Sequence, residues 1–358
     1  PPPPVFNATA TTEIYTSDVS SAASDVYKRQ VKFGISFNVV HFNQAGALVH
    51  IYTDGSVLVN HGGTEMGQGL HTKVSQVVAL ELGIDIGQVR ATANDTSKVA
   101  NTSATAASTG TDLNGKAAQD AARQIRNRLA GFFAARFEVD AAEVTFADNL
   151  VSCGDEHIGF RELVVQAYEN RVQLWSDGFY KTPGLNWDRD RMQGSPFYYF
   201  AYGAAVAEVV VDTLTGEFKL LQADILHDAG NSINPAIDIG QIEGAFIQGM
   251  GWLTSEELRW NEAGRLTTHA PSTYKIPTIT DCPAKFTTRL YRNHNVRDTI
   301  LRSKAVGEPP LLLPFSVFFA IRDAIASLAD NRINPPLRAP ATPEAILDAI
   351  DALRAEAG

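Results

Sequence analysis

Glu308 stands in SKAVGEPPLLLPFSVFFAIRDAI, residues 303–325, between a glycine and two prolines, and an apolar run follows at once. Pro309 biases the residue before it toward an extended backbone, neither proline has an N–H to donate, and Gly307 lets another group approach closely. A carboxylate so held is expected to be stiff. Where the run Leu311 to Phe315 bounds a cavity, desolvation would strengthen Glu308 as a proton acceptor near neutral pH, which is the work of a general base. The competing reading is a solvent-facing turn glutamate. Two glycine-rich polar loops, HGGTEMGQG (61–69) and NTSATAASTGTD (101–112), each lead into a helix, where free N–H groups and the positive dipole end favour an anion. Neither has the lysine of a P-loop or the spacing of a dinucleotide fingerprint. Tight turns and caps would explain either loop alone. Together with Gln68 and Gln241, each placed at a helix entrance beside glycine, they would surround a large polar, phosphate-bearing ligand.

Other chemistry is less well served. His61 and His71 are ten residues apart and lack the i, i+4 spacing of a helical metal pair. His227 reads as a hydrogen-bonded residue at a strand end. The Ser and Thr density at 102–111 reads as backbone satisfaction rather than part of a catalytic triad. A carboxylate-dependent hydrolase would need a second acid beside Glu308, and none is placed to serve.

The elements that must position these residues repeat one grammar. GALVHIYTDGSVLVNHGG alternates around Asp54-Gly55 as a hairpin, and a helix follows with Leu70, Val74, Val77 and Val78 on one face and Gly83 as its stop. VAEVVVDTLTGEFKLLQADIL turns at Thr215-Gly216, and a second helix follows with Asp238 as its expected N-cap and Ile242, Phe246, Met250 and Leu253 on one face. A third helix is expected over about 113–133, a fourth carries Val317, Ile321, Ala324, Ile325 and Leu328 with Ser316 as cap, and a terminal one starts with Thr342 and Pro343. This pattern predicts an α+β fold: two related lobes of hairpins and helices around a cofactor cleft, residues 31–195 and 196–358. Residues 1–30, rich in Pro, Ser, Thr and Ala and ending in DVYKRQ, which resembles a translated adapter remnant, are expected to be a disordered or non-native tail outside the fold.

The chain has 358 residues, 44% hydrophobic and 20% charged, an ordinary composition for a globular protein with a sizeable core. A formal net charge of −10 argues against nucleic acid as a partner. Two cysteines, Cys153 and Cys282, make neither a disulfide framework nor a zinc site, so a reducing compartment is expected. No uninterrupted apolar run reaches the ~20 residues of a spanning helix, so no membrane partner and a cytoplasmic location are expected.

HGGTEMGQGLHTK, NTSATAAS, NPAIDIGQIEGAF, STYKIP and SKAVGEPP occur in this order. On them the chain, from about residue 32 to 349, resembles the molybdenum hydroxylase family, and within it the C-terminal half of the molybdopterin-binding subunit of bacterial xanthine dehydrogenases. The resemblance implies that Glu308 is the general base beside molybdenum. It implies that Met66, Gln68, Ala107, Ser108, Gln241 and Gly307 bind the cofactor, and that Phe37, Ala106 and Ala107 meet the substrate. It implies too that molybdenum, with its sulfido ligand, is held by the pterin, so that no protein side chain ligates metal. The implied reaction is hydroxylation of an electron-poor ring carbon of hypoxanthine or xanthine with water as oxygen source. Electrons would leave through Fe-S clusters and FAD to NAD on a partner subunit of a hetero-oligomer, because two cysteines cannot hold those clusters. Asn38, where the family usually has threonine, and Pro314-Phe315, where it has a Gly-small pair, depart from the pattern. The family's upstream half is not in this chain, which is expected to be a fragment inactive alone. An aldehyde oxidase-type hydroxylase and a cofactor-free scaffold subunit are the alternative readings.

Overall fold

The computed structural model describes residues 22–99 and 101–357. In chain order the strands and helices are β1 (Ala22–Ile35), β2 (Gln44–Ile51), β3 (Val57–His61), α1 (Leu70–Leu82), β4 (Val89–Ala91) and α2 (Gly110–Phe137). A small meander of β5 (Thr145–Ala147), β6 (Leu150–Cys153) and β7 (Glu156–Gly159) leads to α3 (Phe160–Glu169) and β8 (Trp175–Lys181). The hairpin of β9 (Asn186–Asp188) and β10 (Gln193–Ser195) precedes β11 (Tyr199–Asp212), β12 (Phe218–His227), α4 (Pro235–Thr254), β13 (Lys285–Leu290), α5 (Phe315–Ser327) and α6 (Pro343–Ala357).

Two four-stranded sheets dominate, ordered β4-β3-β2-β8 and β1-β11-β12-β13. Each contains an antiparallel hairpin, a helix crossing over from its second strand, and a parallel strand after that helix: β2-β3-α1-β4 in one, β11-β12-α4-β13 in the other. Each sheet is closed on the other side by an antiparallel strand, β8 or β1. A helix follows each unit, α2 packing on β8 and β2, α5 on β1 and β11. The α+β class and the two related lobes therefore hold, and the repeat is deeper than a shared hairpin and helix. Strand β2 buries every second residue, which is the period that puts one face of a pleated sheet on a core. Separate cores result, one built on Val49, Val59, Val74, Ile125 and Phe133, the other on Val209, Ile225, Phe246, Val317 and Ile321.

Local signals behave as their chemistry requires. Gly55 and Gly216 take positive φ (86° and 74°) at the two hairpin turns, and Gly83 (66°) ends α1. Thr342 Oγ1 accepts the Ala345 N–H (3.3 Å) ahead of α6. Four expectations need correction. Residues 22–30 are not outside the fold: β1 runs through DVYKRQ in antiparallel register with β11, while residues 1–21 lie outside the described residues. Composition misled because the neighbouring strand and α5 supply the burial, with Tyr27 stacked on Phe319 (5.4 Å) and the Arg29 guanidinium over the same ring (4.0 Å). Residues 31–35, assigned to the first lobe, consequently belong to the sheet of the second. The cap of α4 is Asn234, whose side chain accepts from Ile237 N–H, leaving Asp238 buried in the first turn. Ser316 does not cap α5; its hydroxyl donates back to the Leu313 carbonyl (2.9 Å). The stretch Pro309–Ser327 is long and apolar enough to span a membrane by length and composition, yet it is mostly buried, α5 being a wall of the second core.

Candidate active site at the lobe seam

A cavity of about 500 Å3 opens where the two lobes meet, within the range of small-molecule and cofactor sites. Met66, Gln68, Ala106, Ser108, Gln241, Gly307 and Glu308 all line it. They come from four separate stretches, two in each lobe. Ala107 and Phe37 do not line it. Ala107 lies between two residues that do. Phe37 packs edge-on against Phe42 (5.6 Å), whose carbonyl accepts the Ser103 hydroxyl (2.7 Å) at the start of the same loop.

Glu308 is held, but not as its prolines suggest. Its backbone is helical (φ −89°, ψ −37°), because Glu308 starts a tight turn over Pro309–Leu312 and its carbonyl accepts Leu311 N–H (3.1 Å). The grip comes from Ser108 instead: the hydroxyl donates to Glu308 Oε2 (2.8 Å) and accepts the Glu308 N–H (2.9 Å). Ala107 and Ser108 both sit at φ 54°, a left-handed pair without glycine, and about 1–3 kcal/mol of backbone strain per residue goes into aiming that hydroxyl. A Cβ on Gly307 would lie 3.1 Å from Ser108 Oγ, so glycine keeps the approach open. The apolar run does not wall the cavity; Leu313 belongs to the second core and Pro314 lies against Gly249, residues 303–308 line the cavity, and Glu308 itself is exposed in this chain.

Gln68 spends its amide on its own loop, accepting Met66 N–H through Oε1 (2.5 Å) and donating to the Thr64 carbonyl (2.8 Å). Thr105 Oγ1 accepts Thr64 N–H (2.9 Å) and so ties the two polar loops together. The expectation that both helix starts await an anion is half met. At α1 the chain supplies its own anion: Glu65 accepts the N–H groups of Gly67, Gly69 and His71 (2.9, 3.0 and 2.9 Å). Burial pushes the Glu65 carboxyl up, but these donors outweigh it and hold it below the ordinary range. The start of α2 has no side-chain cap from Thr109, and Gly110, Thr111 and Asp112 line the cavity there. Gln241 lies in the second turn of α4 rather than at its entrance, because the helix begins at Pro235.

Several lining residues escaped the sequence reading. Lys73 and Asp238 form a buried ion pair across the seam, and Ser232 donates to the other oxygen of Asp238. Their signal was present: each charge falls on the apolar stripe of its helix, Lys73 beside Leu70 and Val74, Asp238 four residues before Ile242. Asp112 and Lys304 also line the cavity; burial raises the Asp112 carboxyl to about 7, and Lys304 pairs with Asp228 (2.6 Å). The rings of buried His61 and half-buried His71 lie 5.0 Å apart edge-on, and burial, then the neighbouring His71, push His61 down to about 4. His227 ends β12 as expected, but its ring nitrogens make no hydrogen bond among the described residues, and burial holds it down at about 4 with the Ala305 backbone partly offsetting.

Fold and site together define a domain that closes two homologous-looking lobes over one cofactor-sized cleft. A family model described as the molybdopterin cofactor-binding domain matches residues 26–283, and the chain belongs to that family. It is 48% identical over 321 residues to the xanthine dehydrogenase/oxidase of Gallus gallus, covering 89% of this chain and 22% of that protein. To the xanthine dehydrogenase of Oryza sativa subsp. japonica it is 47% identical over 325 residues, covering 88% and 22%. The chain thus spans about a fifth of the length of the curated relatives it matches. Among solved structures, the reconstituted CO dehydrogenase from Oligotropha carboxidovorans superposes with TM-score 0.78 at 21% identity, covering 94% of this chain and 41% of that one. Quinoline 2-oxidoreductase from Pseudomonas putida 86 gives 0.77 at 24% identity, covering 92% and 42%. At such identities these two share the fold.

Proposed function

We propose that this chain is the molybdopterin-holding and base-carrying part of a xanthine dehydrogenase-type molybdenum hydroxylase. The observation that carries the reading is the convergence of Met66, Gln68, Ala106, Ser108, Gln241, Gly307 and Glu308 on one cavity from four separated stretches. The donor set suits the cofactor: an uncapped start of α2 for its phosphate, side-chain amides and hydroxyls for a pterin edge, and glycine where the backbone must come close.

When bound, the molybdenum cofactor supplies two-electron redox chemistry and an oxygen derived from water. The chain's residues bind, orient and move a proton. Ser108 occupies Oε2 of Glu308, so Oε1, which makes no hydrogen bond among the described residues, is the atom that accepts the proton. Gln241 and Gln68 frame the cofactor from opposite lobes; Ala106, Ala107 and Phe37 are assigned to the substrate side. The exposure of Glu308 in this chain means the water exclusion a base needs comes from elsewhere in the full-length protein. The substrate is a purine, hypoxanthine or xanthine, hydroxylated at an electron-poor ring carbon, and electrons pass by Fe-S clusters and FAD to NAD on a partner subunit in the cytoplasm. The test is an oxidation assay of the full-length enzyme with hypoxanthine and with an aromatic aldehyde, alongside its molybdenum content. Purine turnover with stoichiometric metal supports the reading; aldehyde preference overturns the purine assignment, and a folded, metal-free protein overturns the enzyme.

A further inference from the structure

Asp112 and Tyr199 have no part in that reading, yet they join the cavity to the base. Asp112 lies in the first turn of α2 and lines the cavity; its hydrogen-bond partner is the phenol of Tyr199, 2.7 Å from Oδ2. Tyr199 is the first residue of β11, in the other lobe, and is buried. Its oxygen also receives the N–H of Ala305 at 2.9 Å. An amide N–H can only donate, so the phenol accepts there and its single proton is sent to Asp112. The charges facing Asp112 are committed elsewhere: Lys73 of α1 to Asp238, and Lys116 of α2 to Asp298 (3.2 Å), while Tyr180 and Tyr198 complete its titratable surroundings.

Residues 303–308 form neither helix nor strand, so their amides need partners from elsewhere. Lys304 N–H donates to the Ala229 carbonyl (2.7 Å), Ala305 N–H to Tyr199, and Glu308 N–H to Ser108. Between the last two anchors lies Gly307, which restrains the backbone least of any residue. Ser108 and the turn that begins at Glu308 hold the residue itself, and the Ala305 anchor fixes the stretch that leads into it. We propose that Tyr199 and Asp112 are positioning residues for Glu308, the phenol carrying the grip of α2 across the lobe seam onto the Ala305 amide and so setting the depth of the carboxylate in the cavity. The consequence for turnover rests on the proposed role of Glu308; the grip itself does not.

Tyr199→Phe removes both bonds, and Asp112→Ala removes the acceptor that orients the phenol. Each is made in the full-length protein and read in two ways. Amide hydrogen exchange of the cofactor-free protein should show about 10-fold or greater loss of protection confined to 303–308, with α2 and α4 unchanged, since a broken tether frees a local segment. Steady-state kinetics, expressed per bound molybdenum so that any change of loading at the start of α2 is divided out, should show kcat lower by roughly 10- to 100-fold with KM kept, the pattern of a misplaced catalytic group. Unchanged exchange in both variants overturns the tether, and freed exchange with wild-type kcat overturns the positioning role. Should the wild-type enzyme turn over no substrate, the proposed function fails while the exchange result still decides the tether. If Tyr199→Phe does not fold, Asp112→Ala alone carries both readouts.

Discussion

Glu308 is oriented by its neighbours rather than by its own backbone. Ser108 engages one carboxylate oxygen and the amide at once, so its hydroxyl sets the orientation of the other oxygen. Glu308→Ala in the full-length enzyme should lower turnover by at least about 10²-fold, the scale of losing a general base, with molybdenum content by elemental analysis unchanged. Wild-type turnover would refute the assignment. The buried titratable groups make a second prediction. His61 and His227 are pushed below their ordinary range, so they contribute stability above pH 6.5 that is lost as pH falls toward about 4. Asp112 has the opposite sign: its carboxyl is raised, so the folded state holds a proton the unfolded chain releases, and stability is gained as pH falls from about 7 toward 4. Asp112→Asn should therefore steepen the loss of unfolding midpoint between pH 6.5 and 4, and a shallower pH dependence would contradict the assignment of these protons.

At the scale of elements, the two lobes are joined by matching pieces. Helix α1 meets α4 through Lys73 and Asp238, and Gln76 on α1 reaches Asn234 and the Ile233 carbonyl at the start of α4 (3.1 and 3.4 Å). Removing one partner of a buried pair leaves an uncompensated charge, so Lys73→Ala should cost about 3–5 kcal/mol in denaturant unfolding. The pair Lys73→Met with Asp238→Leu should recover most of it, because apolar groups of similar volume often match a buried ion pair; failure to recover would mean the charges hold the seam by more than mutual neutralisation. Helix α4 also comes close to the turn that follows Glu308. A Cβ on Gly249 would stand 2.3 Å from the Leu311 carbonyl, so Gly249→Ala should push the Pro309–Leu312 turn outward and lower stability by about 1–3 kcal/mol, read as a lower thermal midpoint.

At the scale of the whole molecule, the cavity lies between the two cores, Leu70 of one and Val306 of the other both lining it. Its walls are loops and helix starts from both lobes, and a cofactor seated there touches both. Loading should stabilise the full-length protein by about 4 kcal/mol when free ligand stands at 1,000 times Kd, and so raise its unfolding midpoint with both lobes shifted together. A shift confined to one lobe would place the cofactor elsewhere.

Much of this was written in local sequence. Period-two burial, Gly55 and Gly216 at turns, Gly83 as a stop and the apolar stripes of α1, α4 and α5 follow from backbone sterics and side-chain spacing, which act within a few residues. Motif order likewise pointed to Met66, Gln68, Ala106, Ser108, Gln241, Gly307 and Glu308, the residues that share the cavity. What local sequence left open depends on partners far along the chain. Strand β1 exists because β11 lies beside it, Glu308 is oriented by a hydroxyl two hundred residues away, and Lys73 and Asp238 could be recognised only as charges on apolar stripes until the seam paired them. Spacing carries short-range geometry; burial, pairing and the field at a proton are sums over neighbours that only the folded chain brings together.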